Sequence, residues 1–183
     1  MKVFGVTVAA LVLGAACSKP APPPAVAAAP EPAKVAEVPR IEQDSPRLRA
    51  AQDAISAYGK VRAALAADDL ANAKVAAGAA GASLAAAATA LPTAATELQG
   101  VQTKLTAVAG AADIHGAREA FGEASKAMIA AVSTDKALQT GLVCYRCPMT
   151  KTYQKWLQTG DEMGNPYYGA EMLHCGGKVR IAP

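Results

Sequence analysis

Leu70 to Leu91 reads LANAKVAAGAAGASLAAAATAL. Its alanine content alone would fit a low-complexity tract. The larger pattern decides otherwise, because Leu70, Ala73, Ala77, Ala80, Leu84, Ala87 and Leu91 alternate spacings of three and four. That is the period of one buried helix face. Asp68-Asp69 precedes the run as a cap, and Leu91-Pro92 ends it, since a residue before proline disfavours the helical region. The stretch is therefore expected to be a helix with an alanine seam.

Working outward, three further segments carry the same period. One opens at Asp44-Ser45-Pro46, a capping residue followed by proline in the first turn, and continues through Leu48, Ala51, Ile55, Tyr58, Val61 and Leu65. Another, near 93–109, places Leu98, Val101, Leu105 and Val108 on one face, and Gly110 ends it. The last is capped by Asp113 and carries Ile114, Ala117, Phe121, Ala124, Met128 and Val132. Four amphipathic helices with short connections predict an all-α fold, an up-down-up-down four-helix bundle. Buried alanine contributes little transfer energy at about 25 cal/mol per Å². Leu48, Ile55, Tyr58, Leu65, Leu84, Leu91, Leu105 and Phe121 are therefore expected to supply most of the core. Gly78, Gly81 and Gly122 inside helices should each cost about 1 kcal/mol against alanine.

Before the bundle the chain changes character. Met1-Lys2, the apolar run Val3 to Leu13, and the small residues Gly14 to Ala16 read as a secretory signal over residues 1–16, too short to anchor across a bilayer of about 30 Å. Cys17 follows directly and resembles the acylated cysteine of a bacterial lipobox, with Leu13 one place earlier than the usual leucine. A lipid-anchored, exported, periplasmic protein is expected. The competing reading is an ordinary cleaved signal that leaves Cys17 a free thiol. Residues 18–43 contain seven prolines, at 20, 22, 23, 24, 30, 32 and 39, and read as an extended spacer. At about 3.1 Å per residue it could reach on the order of 60 Å. No later segment is expected to span a membrane. The folded region is then 44–183. Losing Lys2 takes the formal charge from +3 to +2, and no basic run interleaves with aromatics, so nucleic-acid binding is not expected.

The chemistry is concentrated in a C-terminal lobe, residues 141–177, expected to be small and irregular. It holds three of the four cysteines, the only tryptophan, four of the five tyrosines and three of the five methionines. Leu142 to Met149 reads as extended, which would put Cys147 and Met149 on one side. Gly164-Asn165-Pro166 signals a turn. A short helical turn over 170–174 would place Met172 and Cys175 on one side. Soft sulfur donors select Cu(I). The expected metal site is Cys147, Met149, Met172 and Cys175, with His174, Met163 and Cys144 as further ligands and Trp156 as a cation–π cover. Three alternatives use the same residues: a structural Cys147–Cys175 disulfide of an exported protein, a zinc site of Cys144, Cys147, His174 and Cys175, and a Cys144-x-x-Cys147 redox dithiol, the weakest because no βαβ pattern surrounds it. His115 sits on a helix flank and would matter only if the lobe folded over that flank. No His–carboxylate–nucleophile constellation is visible, so no enzymatic activity is expected.

Cys147-Pro148-Met149, Trp156-Leu157, Asn165-Pro166-Tyr167-Tyr168-Gly169, Met172-Leu173 and Cys175-Gly176 together resemble an exported bacterial domain of unknown function. That domain occurs alone and attached to the periplasmic adaptor subunits of RND-type heavy-metal efflux pumps. Tyr58 to Asp69 resembles its first helix and turn, and Arg118 to Ser125 its last helix. The resemblance covers about 45–177. It implies a helical bundle with a metal-binding lobe, involved in copper or silver handling as chaperone, buffer or efflux accessory, with Cys147, Met149, Met172 and Cys175 on the motif and Cys144 and His174 outside it. A different class of reading is a non-metal scaffold or partner-binding lipoprotein whose cysteines only staple the lobe.

Overall fold

The computed structural model describes residues 45–183; the signal, Cys17 and the proline-rich spacer lie outside the described residues. Four helices come first: α1 Pro46–Ala66, α2 Leu70–Ala90, α3 Ala95–Ala109 and α4 Ile114–Thr134. The starts of α1, α2 and α4 are set by the expected caps, while α3 follows a 3-10 turn, Pro92–Ala94, without a side-chain cap. The Ser45 hydroxyl accepts from Leu48 N, Asp69 from Asn72 N and Asp113 from Gly116 N, each satisfying an orphan amide of a first turn. Pro46 and Pro92 occupy first-turn positions where a missing amide costs nothing.

Each helix buries the stripe its period specified. Ala73, Ala77, Ala80, Leu84, Ala87 and Leu91 of the opening stretch are all buried, and Leu70 is half-buried. Consecutive helices pack on each other, forming a mostly helical bundle. By length and composition α2 is apolar enough to cross a membrane, contrary to the expectation that nothing beyond the signal would be. Here it packs between α1 and α3, because alanine is apolar yet small enough for close helix approach. Leu48 is also corrected: it is half-buried rather than core. Leu98, Val101, Val108, Met128, Ile129 and Val132 are fully buried and share the load.

The all-α expectation with an irregular lobe is replaced by a small sheet. After a single 3-10 turn (Lys136–Leu138), strands β1 Leu142–Arg146, β2 Lys155–Thr159 and β3 Gly177–Val179 form an antiparallel sheet of order β2-β1-β3. Another short 3-10 turn, Gly169–Met172, lies in the loop before β3. β1 lies within the stretch 142–149 expected to be extended, whereas β2, β3 and their pairing into a sheet carry no clear sequence signal, for a physical reason. Adjacent residues Cys144 and Tyr145, and likewise Trp156 and Leu157, are buried in pairs. The helices cover one face and the lobe's own loops cover the other, so the alternation that marks a half-exposed strand is missing.

Candidate functional site

The lobe is held on the bundle by polar groups of α1, α4 and the turn between α1 and α2. Tyr58 of α1 stacks on Phe121 of α4 with ring centroids 5.0 Å apart. Its hydroxyl shares a 2.7 Å hydrogen bond with Ser125 and accepts Leu157 N of β2 at 3.3 Å. Arg62 Nη1 donates to Gly164 O at 2.8 Å. Arg118 donates to Pro166 O and Leu65 O, both at 3.1 Å, and pairs with the Asp68 carboxylate. Asp68, in the left-handed region with φ +60, also accepts Ala170 N at 2.9 Å. Of the two aspartates before α2, only Asp69 caps the helix; Asp68 serves the lobe. These docking residues come from two short stretches, 58–68 and 118–125.

Within the sheet, alternation separates the cysteines. Cys144 pairs across from Leu157, on the face toward α1. Tyr145 pairs with Trp156 on the opposite face, their rings stacked at 5.6 Å. Tyr167 meets Trp156 edge-on at 5.8 Å, and its hydroxyl donates to Lys155 O. The chain from Asn165 to Gly176 closes over this aromatic layer. Gly176, with φ +142, is wedged where a Cβ would sit 2.9 Å from Arg146 O and 3.2 Å from the Trp156 ring. Glycine after Cys175 is therefore needed both for conformation and for space.

That closure brings Cys147 and Cys175 together. Their sulfurs are 3.5 Å apart and neither forms a disulfide. Cys147 is fully buried and Cys175 half-buried. Asn165, fully buried, organises the pair. Its backbone amide donates to Leu173 O at 2.9 Å, its side-chain amide to Cys175 O at 3.2 Å, and its Oδ1 accepts Tyr167 N at 2.9 Å. Burial alone would push the Cys147 thiol up. The polar surroundings, Met149 N and the Cys175 thiol first, then Thr150 and Asn165, outweigh it and hold Cys147 below the usual cysteine range. The Thr150 hydroxyl beside the pair is buried without a hydrogen-bond partner. Cys175 is raised, because it donates to Cys147 and stands beside its charge. The pair is thus asymmetric, with the inner sulfur favoured as thiolate and the outer as thiol.

The other expected site residues fall at varied distances from this pair. Met149 follows Cys147 by two residues and is 56% exposed. Met172 lies one turn before Cys175, whose amide donates to Met172 O at 3.0 Å. His174 is exposed and turned toward Met163, with its Nδ1 3.0 Å from Met163 O. These two line a shallow cleft against Arg62 and Ala66 that neither cysteine enters. Cys144 is buried and its thiol is raised by burial. Trp156 is fully buried with its ring stacked on Tyr145. Among the described residues no three His, Cys, Asp or Glu stand together as a metal group, so Cys144, Cys147, His174 and Cys175 are not assembled as a zinc set. A soft ion here would rest on two thiols plus thioether sulfur. The lobe does fold over the His115 flank: His115, Arg118, Thr150, Thr152 and Tyr168 line one small cleft.

Residues 54–140 match the model of a family described as a protein of unknown function (DUF3347). No curated protein and no solved structure matches the chain. The DUF3347 match runs from within α1 to two residues before β1. It takes in the docking residues Tyr58, Arg62, Asp68, Arg118 and Ser125. The cysteine pair and the motifs around it lie beyond the match.

Sequence reading missed two residues of the site. Thr150 had no signal beyond standing next to the CPM motif. Asn165 stands in the sequence both as a turn signal and within the NPYYG motif, but neither marks it as the residue that ties the two cysteine segments together.

Proposed function

We propose that this chain is a lipid-anchored periplasmic protein that binds a soft metal ion, Cu(I) or Ag(I), at Cys147 and Cys175. The carrying observation is the pair of unbridged sulfurs 3.5 Å apart, the inner one fully buried. Thiolates select soft monovalent ions over hard cations. Met149 and Met172, two and three residues from the two cysteines, are the thioether ligands in this reading, and Met149 is exposed. The role is a chaperone, buffer or accessory to heavy-metal efflux rather than an enzyme, and the partner is an efflux complex or another periplasmic copper protein. The resemblance around the CPM and MLxCG motifs supports this. The helices are read as an up-down-up-down bundle that serves as the lobe's platform.

The test is competition of the reduced protein against a chromogenic Cu(I) chelator. One equivalent withdrawn per chain is expected, lost in Cys147→Ser and in Cys175→Ser. Failure of the reduced wild type to compete would end the metal reading. A second reading rests on the same distance, since two thiols this close can be oxidised to a structural disulfide in an exported protein. Mass spectrometry of the unreduced native protein separates the two: a quantitative Cys147–Cys175 bond favours the staple.

A further inference from the structure

A cleft of about 360 Å³ opens between α1 and the edge of the sheet at β2, away from the cysteine pair. This is within the size range of small-molecule sites. Ile55, Leu142, Leu157 and the Tyr58 ring give it apolar walls. Lys60 and Arg62 are its only charged lining residues, so no carboxylate balances them.

Arg62 is the unusual group. It stands at the join with the neighbouring cleft near Gly164. Of its donors only Nη1 is engaged, by Gly164 O. Its Nε is buried without a hydrogen-bond partner, and among the described residues no carboxylate pairs with it. Burial depresses its pKa, as befits a cation short of solvation, while Tyr58 opposes that shift. Leaving a charged donor unsatisfied is costly, and a guanidinium fork matches a carboxylate in geometry.

We propose that this cleft binds a small organic carboxylate with an apolar body, the carboxylate on Arg62 and the body against Ile55, Leu142 and Leu157. A purely apolar ligand would leave Arg62 uncompensated, and a cation would be repelled by Lys60 and Arg62. The proposal is independent of the metal reading, since no cysteine lines the cleft.

The experiment is calorimetric titration of the purified protein with three probes of equal chain length: octanoate, octanol and octylammonium. One octanoate per chain is expected. Octanol should bind on the order of tenfold more weakly, as follows from losing a charge-assisted hydrogen bond, and octylammonium should not bind. Arg62→Gln should bring octanoate down to the level of octanol. Because Arg62 also secures Gly164, a second variant leaves that contact alone: Ser56→Trp, on the α1 wall, should fill the cleft and abolish both octanoate and octanol binding. No saturable octanoate binding, equal binding of all three probes, or octanoate binding that survives both variants would each overturn the proposal.

Discussion

Single residues fix how the lobe meets the bundle, and two glycines show the contrast. Gly169 has φ +59, and a Cβ there would run into the Asp68 carboxylate and the Arg118 guanidinium. Gly169→Ala should therefore lose about 1–2 kcal/mol from the left-handed backbone alone, and more from displacing that ion pair. Gly78, in the middle of α2, faces open space with nothing within 4 Å of a built Cβ. Gly78→Ala should raise stability by about 0.5–1 kcal/mol through helix propensity. Chemical denaturation of both variants checks the pair; equal effects of one sign would refute the assignment of Gly169 to the lobe contact. From sequence the internal glycines of the helices looked alike in cost, but in the structure their surroundings differ. Gly122 receives the lobe at Tyr153, 3.6 Å from a built Cβ, whereas Gly78 receives nothing.

Among elements, the ends of α1, α3 and α4 are joined through one buried carboxylate. Asp135, just past α4, accepts from Arg47 of α1 at 2.6 and 2.8 Å, from Thr93 of the turn before α3 at 2.7 Å, and from Ala137 N at 3.0 Å. Burial raises its pKa, but Thr93, Ala137 N and the Arg47 guanidinium outweigh burial and hold it below the usual carboxylate value. The folded state thus prefers the ionised form. The stability this gives is present above the unfolded value of about 3.9 and is lost as pH falls through the depressed folded pKa. Asp135→Asn should cost about 1–3 kcal/mol at neutral pH, mostly through Thr93 and Ala137 N, since Arg47 is 56% exposed and solvent-screened. In denaturant melts at stepped pH, the gap between wild type and variant should narrow toward pH 3; a constant gap would remove the charge from the explanation. The helices themselves were legible because the period held at each one, and caps agreed with it at three, Ser45, Asp69 and Asp113. Of the strands only β1 was legible, within the extended stretch 142–149; the sheet was not, because double-sided burial at Cys144-Tyr145 and Trp156-Leu157 erases the period of two. The long-range role of Asp135 had no local signal, since its side-chain partners Thr93 and Arg47 lie 42 and 88 residues away in sequence.

At the scale of the molecule, an alanine-rich platform carries a lobe whose order depends on two kinds of tie. Tyr58, Arg62, Asp68 and Arg118 fasten it from below. Asn165 and the Cys147–Cys175 contact close it from above. The sulfur motifs were readable in the sequence, as was the approach of Cys147 to Cys175. That Cys144 faces away was not, because only the strand register decides it. A bound soft ion would bridge the two segments that Asn165 already joins, and so would stabilise the native state by mass action. At a free ion level about 100 times the dissociation constant, the gain is about 2.7 kcal/mol, which for a folded region of this size corresponds to roughly 9 °C in melting temperature. The reduced protein should show that rise with Ag(I), and Cys144→Ser should keep it, because its buried sulfur belongs to the other face. Cys147→Ser and Cys175→Ser should lose it, as should protein oxidised beforehand, whose sulfurs have moved from 3.5 Å to the roughly 2.05 Å of a disulfide. Should Cys144→Ser abolish the rise while Cys175→Ser preserves it, the ion would sit on the helix-facing side and the Cys147–Cys175 assignment would be wrong.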